Sequence, residues 1–283
     1  MTSSESLQHY MNVGSAEIDG WFFRVDMEMF ALVDGVQRAN GICGDMFEIG
    51  VYRGKSAILL GYLLDPATEA LEVCDIFELP ESTTESTRWR TLHDDPKPAR
   101  AQFLADYARF HDQPPQIHAM LSTQLDPDAF GANRFRLIHI DGAHDYENVR
   151  HDLELSRHLA GPGAVVVFDD ASNKEFPAIA AAVWDAVFRS GLEPIALTGK
   201  LYATWDAASP VADELRAAIG SADRFVSFQH TIADHTVTSV GLRPRPQPTG
   251  RRATLKRVTR EWTPPRIYRA ASAAQARRRP PEG

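Results

Sequence analysis

The 283-residue sequence lacks the long apolar segments that membrane insertion and secretion require. No apolar run approaches the length of about eighteen residues that a transmembrane helix needs. The polar N-terminus, Met-Thr-Ser-Ser-Glu, has no basic stretch followed by an apolar one, as a signal peptide would have. We therefore expect a cytoplasmic protein without a membrane partner.

Cysteine is scarce as well. Cys43 and Cys74 are the only two, and each lies close to a predicted buried strand. Two such residues do not form a disulfide framework, so we expect both to be reduced and packed in the interior.

The glycine pattern G-x-G-x-x-G, which is typical of dinucleotide-binding enzymes, is also absent. A nicotinamide-dependent oxidoreductase therefore remains only a weaker alternative among the enzymes that an α/β fold could support.

Positive charge is outnumbered by negative charge over most of the chain. Residues 250–283 hold ten Arg or Lys and two Glu, a net charge of +8, whereas the net charge of −8 for the whole chain leaves −16 for the first 249 residues. Proline and arginine predict a tail over 249–283 that lies outside the core. A nucleic-acid-binding module is an alternative interpretation of this tail. The acidic body opposes it, so we expect no nucleic-acid partner.

The sequence does contain short apolar runs that alternate with helical patterns. This β-α-β alternation predicts a Rossmann-like α/β fold, a doubly wound and mostly parallel sheet with helices on both faces. A helical N-terminal segment, residues 1–40, precedes the main domain, residues 41–248, and a Pro-punctuated insertion over 76–114 resembles a lid. The predicted strands of the main domain include 46–50, 71–75, 117–121, 138–140, 165–168, 193–205 and 235–242. The predicted helices include 22–39 in the N-terminal segment and 57–64, 146–159 and 177–189 in the main domain, and Ser56 is expected to cap the helix over 57–64.

Acidic residues follow two of these strands. Asp141 comes directly after Ile138–Ile140, and Asp169 and Asp170 come directly after Val165–Phe168. If the strands are neighbours, these acids converge beyond their carboxyl ends, where they would repel one another unless a hard divalent cation lay between them. Taken singly, Asp141 could be a turn residue and the other two could cap a helix. Their joint occurrence favours a metal site.

Four motifs follow one another along the chain. They are Glu48-x-Gly50-x-x-x-Gly54-x-Ser56, Asp75, Ile140-Asp141-Gly142-x-His144-x-Tyr146, and Phe168-Asp169-Asp170. They resemble class I S-adenosylmethionine-dependent methyltransferases, and more narrowly the metal-dependent sugar O-methyltransferases of the macrolide-tailoring kind. A weaker resemblance is to actinobacterial enzymes that methylate mannose in polysaccharides. The resemblance covers about residues 40 to 245 and implies a seven-stranded sheet.

The resemblance also implies the roles of individual residues. The residues around the amino acid end of S-adenosylmethionine would be Glu48, Gly50, Gly54 and Ser56. Asp75 would bind the ribose of the cofactor, and Ser122 would lie near its adenine. Magnesium or another divalent cation would be held by Asp141, Asp169 and Asp170, and His144 would be the catalytic base.

The implied reaction is methyl transfer to a sugar hydroxyl of an oligosaccharide or of a glycosylated metabolite. A divalent cation can lower the pKa of such a hydroxyl, and a nearby imidazole can then take its proton. Related catechol-type enzymes have lysine as the base, so His144 favours the sugar branch. A non-sugar diol such as a catechol is the main alternative. The sequence leaves the sugar and a homo-oligomeric state open.

Overall fold

One nine-stranded sheet lies at the centre of the computed structural model, which describes residues 3–77 and 100–244. The strands, numbered in chain order, are β1 (Asp45–Ile49), β2 (Leu71–Asp75), β3 (Gln116–Ala119), β4 (Phe135–Ile140), β5 (Ala160–Phe168), β6 (Glu193–Leu197), β7 (Leu201–Thr204), β8 (Phe225–Ile232) and β9 (His235–Leu242). Their order across the sheet is β3-β2-β1-β4-β5-β7-β6-β9-β8.

Helices cover both faces of this sheet. They are α1 (Ser3–Asn12), α2 (Arg24–Ala39), α3 (Lys55–Leu63), α4 (Arg100–Tyr107), α5 (Pro127–Phe130), α6 (Tyr146–Leu159), α7 (Pro177–Arg189) and α8 (Val211–Ser221). Residues of α1, α2, α3 and α8 pack on one face, and those of α6 and α7 pack on the other. No helix within the described ranges is long and apolar enough to cross a membrane.

The half of the sheet from β3 to β5 is parallel throughout. Its central strands are buried along nearly their whole length, because helices cover both faces. Beyond β5 the sheet is mixed, since β7 runs antiparallel to β5 and to β6, and β8 runs antiparallel to β9. The predicted Rossmann-like α/β fold is confirmed.

The predicted number of seven strands is wrong. The run over 193–205 is a hairpin of β6 and β7, in which Leu197 pairs with Leu201 across a tight turn. The second difference is β8, which the sequence did not reveal because most of its side chains are half-buried or exposed and give no apolar signal.

The N-terminal segment contains a helix, α1, that its polar composition did not predict. Tyr10 and Met11 are buried, and the Tyr10 hydroxyl donates a hydrogen bond to the Lys55 carbonyl over 2.6 Å. The helix predicted over 22–39 is present as α2. The predicted tail lies outside the described residues, as does most of the predicted insertion, residues 78–99.

Both cysteines are free thiols. Cys74 is buried in β2 as expected, but Cys43 is exposed because it lies in the turn before β1. The prediction of a packed thiol is therefore wrong for Cys43.

Candidate active site

The carboxyl ends of β1, β4 and β5 lie next to one another. Ile49 pairs with Ile140, and Ile140 pairs with Phe168, so the residues that follow these strands are adjacent. The Asp141 amide donates to the Ile49 carbonyl over 2.7 Å, and the Asp169 amide donates to the Ile140 carbonyl over 2.9 Å. The structure thus brings Asp141 and Asp169 together at this edge, as the sequence predicted.

Asp170 reaches the same edge because β5 has ended. Its φ of 54° is in the left-handed region, which breaks the alternation that would turn successive strand residues to opposite faces. One carboxylate oxygen accepts a hydrogen bond from the Asn173 side chain over 3.0 Å. The other lies 3.8 Å from His144 Nε2.

His144 lies between two of the acids. Its Nε2 is 3.8 Å from Asp141 Oδ1 and from Asp170 Oδ2, which is longer than a hydrogen bond. Both ring nitrogens are buried and have no hydrogen-bond partner in the described structure, while the ring packs on Phe176 with centroids 4.1 Å apart. Asp145, not His144, caps α6, since its carboxylate accepts the Asn148 amide over 3.1 Å. The imidazole is therefore available for proton transfer.

A buried lysine that the sequence did not indicate completes the edge. Lys200 lies in the turn between β6 and β7, its side chain is 2% exposed, and its ammonium forms an ion pair with Asp169. Burial alone would lower the pKa of Lys200, but Asp169, Asp141 and Asp26 raise it to about 12. Burial alone would raise the pKa of Asp169, but Lys200 lowers it to about 2. The pair is charged at neutral pH.

Carboxylates outnumber the Lys and Arg side chains around this pair. Burial and the charge of Asp169 raise the pKa values of Asp141 and Asp170. Burial also raises the pKa of Asp26, whose carboxylate accepts hydrogen bonds from two hydroxyls behind the site. In the described part of the chain, Lys200 is the one Lys or Arg that forms an ion pair with any of five carboxylates, namely Asp26, Glu48, Asp141, Asp169 and Asp170. This surplus of negative charge fits a divalent cation.

His139 is a second residue whose place in the site the sequence missed, since a histidine within an apolar strand is typical of a packed core residue. Its side chain is fully buried, and Nδ1 lies 2.6 Å from Glu48 Oε1. Potential ligand atoms of His139, Asp141 and Asp169 all lie within 4.8 Å of one another. Asp170 is not part of this group of three.

The turn after β1 brings its backbone close to Asp141. Gly50 has a φ of 84°, and a Cβ atom there would lie 1.8 Å from the Asp141 carbonyl oxygen, so only glycine fits. Gly54, with a φ of 82°, is the N-cap of α3 and supplies no side-chain hydrogen bond. Ser56 lies inside α3, so the expectation that it caps this helix is wrong.

Asp75 closes the same turn. Its Oδ2 accepts the amides of Val51 and Tyr52 over 2.7 and 3.0 Å, and its Oδ1 accepts the Phe77 amide over 2.7 Å. The carboxylate therefore lies beside the glycine turn, at the end of β2, where the sequence placed it. Ser122 begins a short 3-10 helix after β3 and lies beside the buried Asp152.

Aromatic side chains border the site. Phe22 is buried, with its ring 6.1 Å from that of His139 and 5.5 Å from the Lys200 ammonium. Its neighbours Trp21 and Phe23 are 41% and 63% exposed, and the Trp21 ring lies 5.4 Å from that of Tyr52. We call Trp21, Phe23 and Tyr52 the aromatic rim.

Residues 47–171 match the family model described as a methyltransferase domain. This span contains every site residue that the sequence predicted, from Glu48 to Asp170, but not Lys200. No curated protein sequence matches the chain.

Several solved structures are similar. The O-methyltransferase NovP is 18% identical, with a TM-score of 0.57 over 71% of this chain and 98% of its own. CalS11, a TDP-rhamnose 3′-O-methyltransferase of calicheamicin biosynthesis, is 16% identical, with a TM-score of 0.45 over 72% and 91%. TomG from Streptomyces achromogenes, an O-methyltransferase solved with SAM, is 16% identical, with a TM-score of 0.36 over 83% and 86%. The family match agrees with the predicted resemblance to methyltransferases over residues 47–171, and the likeness to NovP shows that the fold is shared.

Proposed function

We propose that this chain, with its methyltransferase domain over residues 47–171, is an S-adenosylmethionine-dependent O-methyltransferase that acts on a sugar hydroxyl. The acceptor would belong to an oligosaccharide or to a glycosylated metabolite. The observation that carries the proposal is the surplus of carboxylates around His144, an imidazole whose nitrogens have no hydrogen-bond partner within residues 3–77 and 100–244. Such a site can bind a cation and accept a proton at one place.

The residues present fit a divalent cation, with Mg²⁺ as the expectation from the family resemblance. Asp141, Asp169 and Asp170 would hold it, and such an ion, when bound, lowers the pKa of an acceptor hydroxyl. Lys200 keeps Asp169 ionised and fixes its orientation through the ion pair. A vicinal diol could replace water at the positions that magnesium leaves open.

His144 would act as the general base. Its Nε2 is equidistant, at 3.8 Å, from Asp141 and Asp170, whose negative charges would stabilise the imidazolium after proton transfer. A positioned general base contributes about 10² to 10⁴-fold to the rate. Phe176 packs against the ring and restricts its orientation.

The cofactor would bind along the turn from β1 to α3. No side chain in the described part of the chain caps the start of α3, so its backbone amides can receive a carboxylate. We assign the surroundings of the amino acid end to Glu48, Gly50, Gly54 and Ser56, the ribose to Asp75 and the adenine to Ser122. A sulfonium methyl group is already electrophilic, so the task of the protein is alignment.

The aromatic rim would bind the acceptor. Trp21 and Phe23 flank Phe22 in the chain, the Phe22 ring lies near His139 and Lys200, and the Trp21 ring lies near Tyr52 in the turn after β1. Exposed aromatic rings suit the apolar face of a sugar, although they would also accept a catechol. NovP, which shares the fold, is an O-methyltransferase.

The test is a methyl-transfer assay with labelled S-adenosylmethionine and a panel of mono- and oligosaccharides, with catechols included, in which each product is identified by mass spectrometry. We expect a methyl ether on a sugar hydroxyl. Methyl transfer to catechols alone would show that the acceptor is a non-sugar diol and would contradict the proposed sugar acceptor. If S-adenosylmethionine does not bind in calorimetry while NADH does, the proposal is wrong.

A further inference from the structure

We infer that His139 is a nitrogen ligand of the cation site, held in place by Glu48, and that the site therefore takes a transition-metal ion such as Mn²⁺ or Co²⁺ in preference to Mg²⁺. The inference rests on the cation proposed above. It names a ligand outside the set of three acids and the chemical class of the ion.

The position of His139 is the first observation. It lies in β4 two residues before Asp141, so both side chains leave the strand on the same face. Ligand atoms of His139, Asp141 and Asp169 lie within 4.8 Å of one another, so the three residues could hold one ion between them. These three residues offer one imidazole nitrogen and two carboxylates.

The hydrogen bond to Glu48 is the second observation. An ionised carboxylate only accepts, so Nδ1 of His139 carries the proton and donates it to Glu48 Oε1 over 2.6 Å. This leaves a lone pair on Nε2. A carboxylate behind a histidine in this manner fixes the tautomer and the ring orientation of metal-ligating histidines.

The unsatisfied nitrogen is the third observation. His139 Nε2 is buried and has no hydrogen-bond partner among the described residues. Core packing explains the burial, since the ring meets Phe30 edge-on with centroids 5.3 Å apart. It does not explain a partnerless acceptor on a ring that has a nitrogen within 4.8 Å of two carboxylates, because buried polar atoms are nearly always satisfied. A cation shared with these acids would satisfy it.

The choice of ion follows from the donor set. Mg²⁺ prefers oxygen ligands in a strict octahedron, whereas imidazole suits the later first-row metals, and carboxylates suit Mn²⁺. A site with one imidazole and two carboxylates therefore favours Mn²⁺ or Co²⁺. Within the charge surplus of the site, the ion would also offset the repulsion between Asp141 and Asp169.

The direct test uses the wild-type protein loaded with Mn²⁺ and pulsed electron paramagnetic resonance. We expect a coupling to a directly bonded imidazole nitrogen. The same coupling in His144→Gln would assign it to His139, because His144 is the other histidine close to these acids. Bound Mn²⁺ without nitrogen coupling, or loss of the coupling in His144→Gln, would overturn the inference.

Calorimetric titrations with Co²⁺ and Mg²⁺ supply a second readout. His139→Gln and Glu48→Gln should each weaken Co²⁺ binding by at least about tenfold, as the loss of a ligand or of its carboxylate partner does, with a smaller effect on Mg²⁺. His118→Gln is the matched control, because His118 forms a similar 2.7 Å contact with Glu72 in another part of the sheet. Unchanged Co²⁺ affinity in folded His139→Gln would contradict the inference.

Experiment can separate the His139 ligand from the proposed cation and from methyl transfer. If no divalent ion binds the wild type, both this inference and the proposed cation fall, whereas methyl transfer is judged by its own assay. If an ion binds through oxygen ligands alone, His139 is excluded and the proposed function stands.

Discussion

Two buried clusters of charge lie at opposite ends of β4, and they differ in how the charges are balanced. At the amino end, Arg136 donates to Glu69 over 2.9 Å, to the Gln37 side chain over 3.0 Å and to the Leu63 carbonyl over 3.0 Å, and it contacts Asp34 at 2.9 Å. We call this the paired cluster. At the carboxyl end, five carboxylates share one ammonium and two histidines, which we call the surplus cluster.

This difference indicates that the paired cluster stabilises the fold, whereas the surplus cluster is suited to bind a ligand. A buried ion pair persists because each partner compensates for the lost hydration of the other, and removal of one partner leaves an uncompensated charge. The paired cluster meets this condition. The surplus cluster does not, since repulsion and burial raise the pKa values of Asp141 and Asp170. The fold tolerates the surplus at the edge of the sheet where ligands of such folds bind.

The largest expected effect is on chemistry at the surplus cluster. His144→Ala should lower turnover by about 10² to 10⁴-fold, because the general base is removed. The affinity for S-adenosylmethionine should stay nearly unchanged. Turnover and calorimetry on the same preparation test this prediction, and near-normal turnover would require another base.

The next effect is on stability at the paired cluster. Arg136→Met should lower the free energy of unfolding by up to about 3 to 5 kcal/mol, because Glu69 and Asp34 lose their buried partner and keep only the more exposed Arg38. Denaturant titration measures the loss. Arg189→Met is the matched control, since Arg189 forms an exposed ion pair with Asp185 and should change stability by less than about 1 kcal/mol. Equal stability of the two variants would remove the distinction between the clusters.

A smaller effect concerns cofactor affinity. Asp75→Ala should weaken S-adenosylmethionine binding by about 1.5 to 3 kcal/mol, the usual worth of hydrogen bonds to a charged group. Part of this loss would come from the turn, because Asp75 also accepts the amides of Val51 and Tyr52. Calorimetry gives the affinity, and a dissociation constant equal to that of the wild type would contradict the assignment.

The smallest effect tests the surplus itself. The pKa of Asp170 is raised above its ordinary value of 3.8, so the ionised carboxylate destabilises the fold at neutral pH, and this penalty disappears as the pH falls below 3.8. Asp170→Asn should therefore stabilise the metal-free protein at pH 7, because the penalty of the buried charge is removed. Denaturant titrations in EDTA at pH 7 measure the gain. A loss of stability would indicate that Asp170 is structural.

The sequence predicted the scaffold better than the site. The bounds of β2, α6 and α7 match the predictions, because apolar periodicity and the flanking Pro177 and Asp145 mark them. The acids after β4 and β5 were also predictable, since parallel strands that are neighbours bring their carboxyl ends together. This prediction required only that β4 and β5 be neighbours, and not the order of the whole sheet.

Lys200 and His139 were not predictable in the same way. Lys200 lies in a hairpin turn within a segment that has the sequence pattern of one strand, so nothing in that pattern marks it as a site residue. Its partner Asp169 is 31 positions away in the chain. His139 has the pattern of a core residue. Its significance comes from one ring nitrogen that has no hydrogen-bond partner among the residues that the structure describes, which is a property of the packed structure and not of any local motif.

The most direct test of the account is metal dependence of methyl transfer. Turnover of the wild type on an identified sugar acceptor should fall to background in EDTA and return when Mg²⁺ or Mn²⁺ is added in excess. Asp169→Asn should show low turnover and need more metal to recover part of it. Full turnover in EDTA would contradict the assignment of the surplus cluster to a divalent cation.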